Sequence, residues 1–541
     1  MASVPTWGKR TLALGAGAAV TALVLTGCAG GSGTSGGSGD LDGLIIGTTD
    51  KITSLDPAGS YDNGSFAVQN QVFPFLLNTP TGSPDVEPDI ATKAEFTDPT
   101  TYEVTLKDGL EFANGNPLTS SDVKFSFERD LKIKNDNGPW SLLANLKSID
   151  TPDETTVVFH LDHADQTWPQ VLSSPAGPIV DEDVFSATEL TSADDIVKGN
   201  AFAGQYTITS YKENDLIAYE ANPKYDGVLD KAKTKDVTAQ YFTKETDLKL
   251  AVQQGDVDVA YRSLTPTDIA SLRKDDDLQV IDGPGGEIRY VVFNFATQPF
   301  GTDQDGADEA KALAVRQAVA DVVDRDELAK EVYNDTYTPV YSMVPDGLTG
   351  AATPFKSLYG DGNGAPDVDK AKKTLADAGV TGKVELDIQY SPDHYGSASD
   401  DEYATLKTQL EDSGLFTVNI QSTVYTTYAV ERTKDAYPLY QLGWFPDFSD
   451  ADNYLSPFFT KDNFVQNHYD DPTIQGLIAD EQAESDADKR AEIIEQAQQR
   501  EAEQISTLPL LQGKSVAVAG KDVTGVTLDA SFKFRYGTIT K

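Results

Sequence analysis

One cysteine in 541 residues, Cys28, leaves this chain without any internal disulfide, so its fold must be held together by apolar cores alone. Thiolate metal sites are excluded with the disulfides. The hydrophobic share of 39% fits a folded body and not a disordered stalk. A chain this long exceeds what a single compact core carries and predicts two or three domains. Its 43 basic and 86 acidic side chains give a formal net charge of −43. Such a surface repels phosphate backbones and anionic lipid headgroups, which excludes nucleic acid as the expected partner. It also serves solubility in a salty or crowded exterior.

Cys28 ends an apolar run, residues 11–25, that follows Lys9 and Arg10 and contains no acid. The run is shorter than the roughly 20 residues needed to cross a bilayer, so residues 1–27 read as a signal peptide. Leu25-Thr26-Gly27-Cys28 resembles the lipobox of bacterial lipoproteins. That resemblance implies an acylated cysteine and a protein anchored by lipid to the outer face of the bacterial cytoplasmic membrane. Residues 28–40 then form the anchor and a Gly/Ser tether, reaching about 18 Å as a random coil. The competing reading is a buried thiol behind an uncleaved segment.

Along the body, Leu44-Ile45-Ile46-Gly47-Thr48 reads as a buried strand. Tyr102, Val104 and Leu106 alternate ahead of a Lys107-Asp108-Gly109 turn, with Leu110 and Phe112 returning, which predicts a hairpin followed by an Asn114-Gly115 turn. Thr119 or Ser120 can cap a helix whose Val123, Phe127 and Leu131 share a face. Residues 288–295 form a nearly continuous apolar strand, and 311–332 and 367–378 read as helices, the second capped by Gly379. A charged helix over 486–505 precedes Leu508-Pro509-Leu510-Leu511 and strand-like segments at 515–518 and 532–536. The expected class is α/β with mixed sheets and flanking helices.

Four stretches resemble the family 5 extracellular solute-binding proteins of ABC transporters. They are Thr53-Ser54-Leu55-Asp56-Pro57; Glu87-Pro88-Asp89-Ile90-Ala91 continuing through residues 102–123; Phe293-Asn294 with Val315-Arg316-Gln317-Ala318 and Val323-Asp324-Arg325; and Gly443-Trp444-Phe445-Pro446-Asp447 with Asp450, Asp452, Asn453 and Tyr454. The resemblance implies a two-lobed periplasmic-binding-protein-like clamp with three domains. Lobe I would combine residues 41–62, 180–282 and 506–541, with domain II inserted at 63–179 and lobe II at 283–505. It also implies capture of short peptides, delivery to membrane permease subunits, a monomer, no cofactor and no enzymatic activity.

By the same resemblance, Asp447 holds a peptide's α-ammonium group, Gly443 and Phe445 offer main-chain groups, and Trp444 packs beside them. Asn294, Trp140 and Tyr425 would line the cleft. Where some relatives carry an arginine for the peptide carboxylate, this chain has Gln441, leaving Arg432 or no counter-ion. Read without the family, Trp444-Phe445-Pro446 is ordinary core and Asp447 a loop cap. An oligosaccharide or nickel-chelate ligand, or a surface signalling lipoprotein without transport, are the alternatives on the same scaffold. The four histidines, His160, His163, His394 and His468, fall in no catalytic motif, and no metal site is expected from them or from the acids near Asp447.

Overall fold

Strand pairing divides the chain into three main sheets. The computed structural model describes residues 43–541 apart from Ser263 and Asp462. The signal peptide, Cys28 and the Gly/Ser tract lie outside the described residues. The first sheet has seven strands in the order Leu278–Gly283, Ser515–Gly520, Val259–Tyr261, Leu44–Thr48, Asp236–Tyr241, Leu216–Ala221 and Tyr206–Lys212. Its two faces are buried in separate clusters: Ala517 and Ala519 join Leu44 and Ile46 on one side, whereas Val518 joins Leu248, Val252 and Leu272 on the other. Burial on both faces explains why Leu44-Ile45-Ile46 reads as an apolar run and not as an alternating one.

The second sheet has six strands, ordered Tyr337–Pro339, Thr507–Gly513, Ile288–Phe293, Leu439–Trp444, Val384–Tyr390 and Phe416–Ser422. Every residue of its central strand Ile288–Phe293 is buried. Ile288, Tyr290 and Val292 enter one core and Val291 and Phe293 the other. The third sheet, Ala91–Asp98, Thr101–Leu106, Thr156–Leu161 and Leu146–Asp150, buries one face only, with Tyr102, Val104 and Leu106 packed under Val123 and Phe127 of helix Ser120–Ile133.

Several expectations need correction. Strand Thr101–Leu106 pairs with Ala91–Asp98 and Thr156–Leu161, not with residues 110–112. The local hairpin is smaller, a bridge between Glu111 and Pro117 around Asn114-Gly115. The helix expected over 311–332 ends at Val322, because Val323 turns extended at φ −69° and ψ 123° and Asp324 caps a new turn at Arg325–Glu327. Residues 532–536 form no strand. The segment 506–541 is divided: Thr507–Gly513 pairs with Ile288–Phe293 in the second sheet, and only from Ser515 does the chain join the first. Helix Asn63–Val72 packs Val68 and Val72 into the first sheet's core, inside the span 63–179 expected for the insertion.

Three of the four family stretches build this architecture. Asp56 caps the turn Pro57–Gly59 and forms a buried two-pronged ion pair with Arg129 at 2.8 and 2.5 Å, tying the first segment to helix Ser120–Ile133. Asp89 accepts the Tyr225 hydroxyl at 3.0 Å and the Val228 N–H at 2.7 Å. Arg316 and Arg325, both buried, donate through Nε to the carbonyls of Gln504 and Pro509.

Candidate functional site

The chain crosses between the first two sheets at Gly283–Ile288 and again at Lys514. The crossings touch: a Cβ on Gly285 would lie 1.9 Å from the Gly513 carbonyl oxygen, so only glycine fits there. The Glu287 carbonyl accepts the Gly513 N–H at 2.8 Å, and Gln512 Nε2 donates to the Gly285 carbonyl at 2.8 Å. Beside them a cavity of about 470 Å³ opens between the sheets. Tyr261, Arg262 and Val516 wall it from the first sheet; Arg289, Tyr337, Gly443, Trp444 and Phe445 wall it from the second. His394 and Tyr395 close another side.

The fourth family stretch supplies the wall of this cavity. Strand Leu439–Trp444 is covered by Ile288–Phe293 along its whole length but by Val384–Tyr390 only at Leu439 and Tyr440. Its Gly443–Trp444 end therefore leaves the sheet with one strand neighbour. The Tyr395 ring stands 3.2 Å from where a Gly443 Cβ would project. Phe445, just beyond the strand, lies under the Arg262 guanidinium at 4.7 Å from its ring centre, a cation–π contact that joins the two walls. Arg262 is also paired with Asp50 at 3.3 Å.

Asp447 lies around the corner from this cavity. Its carboxylate accepts the Tyr61 hydroxyl at 2.5 Å and Asn453 Nδ2 at 3.0 Å. Asn453 Oδ1 in turn accepts the Asp447 N–H at 2.9 Å and Trp444 Nε1 at 3.1 Å. Burial pushes the Asp447 carboxyl above the ordinary aspartate range, and the Tyr61 and Asn453 hydrogen bonds pull it partly back. The space left at Asp447 is about 20 Å³, walled by Phe445, Phe448, Phe66 and Lys533. Burial holds the Lys533 ammonium well below its usual pKa.

Of the residues expected at the site, Gly443, Trp444 and Phe445 line the large cavity and Asp447 the small one. The other three do not reach either. Asn294 is fully buried and used as a loop cap, accepting from Ala296 N–H at 2.9 Å and donating to Asp435 at 2.9 Å. Trp140 opens a short 3-10 turn, with Lys134 Nζ 5.2 Å from its ring centre. Tyr425 stands one layer behind the wall, stacked on His394 with ring centres 3.5 Å apart and planes 7° from parallel. Burial lowers the His394 pKa, with Asp393 opposing.

Neither Gln441, which stands in the arginine's place, nor Arg432, the one counter-ion expected from the sequence, lines the cavity. Gln441 is fully buried, donating to Ser399 Oγ at 3.0 Å and accepting the Ser391 N–H at 3.1 Å. Arg432 is spent on the Phe464 and Val465 carbonyls at 3.2 and 3.1 Å. Arg289, Arg262 and Tyr61 went unnoticed in the sequence. Arg289 is hidden inside an apolar strand, and Tyr61 becomes relevant only through a partner 386 residues away. Among the described residues, no group of three or more His, Cys, Asp or Glu side chains is arranged to hold a metal ion, and no helix is long and apolar enough to cross a membrane.

Known proteins share this architecture and sequence. The chain is similar to the "Probable D,D-dipeptide-binding periplasmic protein DdpA" of Escherichia coli K12, at 25% identity over 92% of this chain and 94% of that one. It is 23% identical to the "Oligopeptide-binding protein OppA" of Bacillus subtilis 168 over 96% of this chain and 97% of that one. The solved structure of HbpA2 from Haemophilus parasuis superposes with a TM-score of 0.76 at 19% identity, covering 92% of this chain and 99% of the other, a likeness of fold. Residues 85–466 match the family model described as bacterial extracellular solute-binding proteins, family 5, middle part, and with most of its length inside that match the chain belongs to the family 5 bacterial extracellular solute-binding proteins.

Proposed function

We propose that this chain is the capture component of an ABC importer, enclosing short peptides outside the cell and passing them to a membrane permease. The observation that carries the reading is the 470 Å³ cavity walled by both large sheets at the free end of strand Leu439–Trp444. That volume lies in the range of small-ligand pockets, about 300–1,000 Å³, and excludes a folded protein as cargo. An extended peptide beside Gly443 and Phe445 can bond to main chain, which tolerates varied side chains. The relatives named for dipeptide and oligopeptide binding support this ligand class.

In this reading the two large sheets belong to two lobes. The division expected from the sequence is kept with two changes: helix Asn63–Val72 goes with lobe I, and the second crossing lies at Lys514, so strand Thr507–Gly513 moves with lobe II. Gly283–Ile288 and Lys514 form the hinge. Asp447 receives the ligand's ammonium after the Tyr61 hydroxyl gives way, since a hydroxyl donating to a carboxylate holds the place an ammonium can take. A lipid on Cys28 keeps the protein beside its permease.

The cavity's aromatic walls, Tyr261, Tyr333, Tyr337, Tyr395, Trp444 and Phe445, also suit a sugar ring, so an oligosaccharide is the second reading. Calorimetry on the full chain carrying Cys28→Ser separates them. The probes are a library of di- and tripeptides, the same library N-acetylated, and a set of oligosaccharides. Preference for the free-amine peptides is expected. Equal binding of free and acetylated peptides removes the ammonium site, and binding of sugars alone replaces the ligand class.

A further inference from the structure

We infer that His394 sets the charge selectivity of the cavity: its protonated imidazole excludes solutes carrying a cationic side chain, and its neutral imidazole admits them. This inference rests on the peptide reading above and deepens it.

His394 differs from the other three histidines in having nothing to bond to. His160 and His468 meet the Asp150 and Asp435 carboxylates at 3.0 and 2.7 Å, and His163 meets the Ala164 carbonyl at 3.3 Å. Neither ring nitrogen of His394 has a hydrogen-bond partner among the described residues. The residue is exposed and lines the cavity. Its ring is held in place from behind. Tyr425 stacks on one face, and the Tyr395 ring meets it edge-on with centres 4.7 Å apart. Asp393, the preceding residue, accepts the Tyr425 N–H at 3.0 Å and the Ser391 hydroxyl at 2.9 Å. That carboxylate fastens the short helix Pro392–Tyr395 to helix Tyr425–Glu431, so the imidazole cannot swing out of the wall without breaking the stack.

The charges around the cavity almost cancel without His394. Arg289 pairs with Glu287 at 3.0 Å and Arg262 with Asp50 at 3.3 Å. Lys514 and Glu245 remain in the lining as one cation and one anion. A proton on His394 therefore turns a balanced lining into a cationic one. Histidine is the side chain whose ordinary pKa makes this change accessible near neutral pH. Burial lowers the His394 pKa, Asp393 opposes that, and Arg289 and Glu287 act weakly in opposite directions. The ring is thus neutral at pH 7 and charges as pH falls below the ordinary histidine range. A lysine or arginine side chain enclosed with it then meets a like charge in a confined space, where repulsion is stronger than in water.

Calorimetry on the full chain carrying Cys28→Ser tests this with di- and tripeptides that differ only in lysine against norleucine, which keeps the stem and lacks the ammonium. The ratio of the two affinities cancels the pH dependence that both peptides share through their α-ammonium groups. Between about pH 7.5 and about pH 5 the lysine peptides are expected to lose on the order of 3- to 10-fold relative to their norleucine partners. His394→Phe, which can keep the stack on Tyr425 without titrating, should make the ratio independent of pH. If that variant does not melt as a folded protein, His394→Gln carries the same comparison. A ratio that stays constant with pH while His394 is present, or one that still falls in the variant, overturns the inference and leaves the peptide reading standing. Binding of no peptide at either pH removes both.

Discussion

The two ends of Gly443-Trp444-Phe445-Pro446-Asp447 do different jobs. At the glycine end the strand stops, one neighbour drops away, and a 470 Å³ cavity opens beside Arg289. At the aspartate end the space shrinks to about 20 Å³ and the carboxylate is held by Asn453, six residues away, and by Tyr61, 386 residues away. Phe445 lines both. The comparison teaches that one short motif can wall an open cavity at one end and close a contact at the other. In the proposed function the open end is the ligand wall and the Tyr61 hydroxyl is the group a ligand displaces.

The largest effect expected from testing this contrast is at the aspartate end. Asp447→Ala should weaken binding of free-amine peptides by about 2–5 kcal/mol, because a ligand charge is left unpaired in a buried site. A loss below about 0.5 kcal/mol would return Asp447 to a loop cap and make the cavity end the whole site. The pH dependence follows from its raised pKa. The folded chain holds the Asp447 proton more tightly than the unfolded chain does. This group's contribution to ligand-free stability is therefore greatest below the ordinary aspartate range and declines as pH rises through the raised value. Ammonium binding needs the carboxylate, so affinity runs the other way and is lost as pH falls through the same value. Urea melts and calorimetry between about pH 4 and pH 7 should show the two opposed trends.

Next in size is Asn453→Ala, which removes the partner of Trp444 Nε1, of the Asp447 N–H and of one Asp447 oxygen. Urea unfolding should register a loss of about 2–3 kcal/mol. An intact midpoint would mean that the two ends of the motif are not mechanically joined. Tyr61→Phe takes away only the displaceable donor, and calorimetry should show free-amine peptides binding about 1 kcal/mol more tightly. Weaker binding would show Tyr61 touching the ligand instead of competing with it. Smallest of all, Trp140→Ala lies outside both spaces and should change affinity by less than about 0.5 kcal/mol; a larger change would extend the site to the third sheet.

Local chemistry made some of this legible in the sequence. Helix Ser120–Ile133 could be placed because Thr119 and Asp122 form a capping box within four residues and Val123 and Phe127 repeat on one face. Helix Val368–Asp377 could be placed because Asp367 caps it and Gly379 takes φ +74° just beyond. The hairpin at residues 102–112 misled because alternation reports that a strand has two faces and is silent about its partners. Those partners arrive from residues 91–98 and 156–161. Asn294 misled for a related reason: an asparagine after a strand caps a loop as readily as it lines a cleft.

Chain-level properties came from composition and motif: an extracytoplasmic address, two or more apolar cores without cross-links, and the Gly443–Asp447 stretch as the place to look. Tertiary structure alone decided which of those residues meets open space. It alone brought Tyr61 to Asp447 and put Arg289 and Arg262 in the lining of one cavity. The reason is range. Caps, turns and periodicity act over a few residues and leave their mark in the local sequence. A cavity between two sheets is made by pairings such as Ile288–Phe293 with Thr507–Gly513. No local preference encodes which strands meet, so the side chains that such a meeting exposes or hides become visible only once the sheets are assembled.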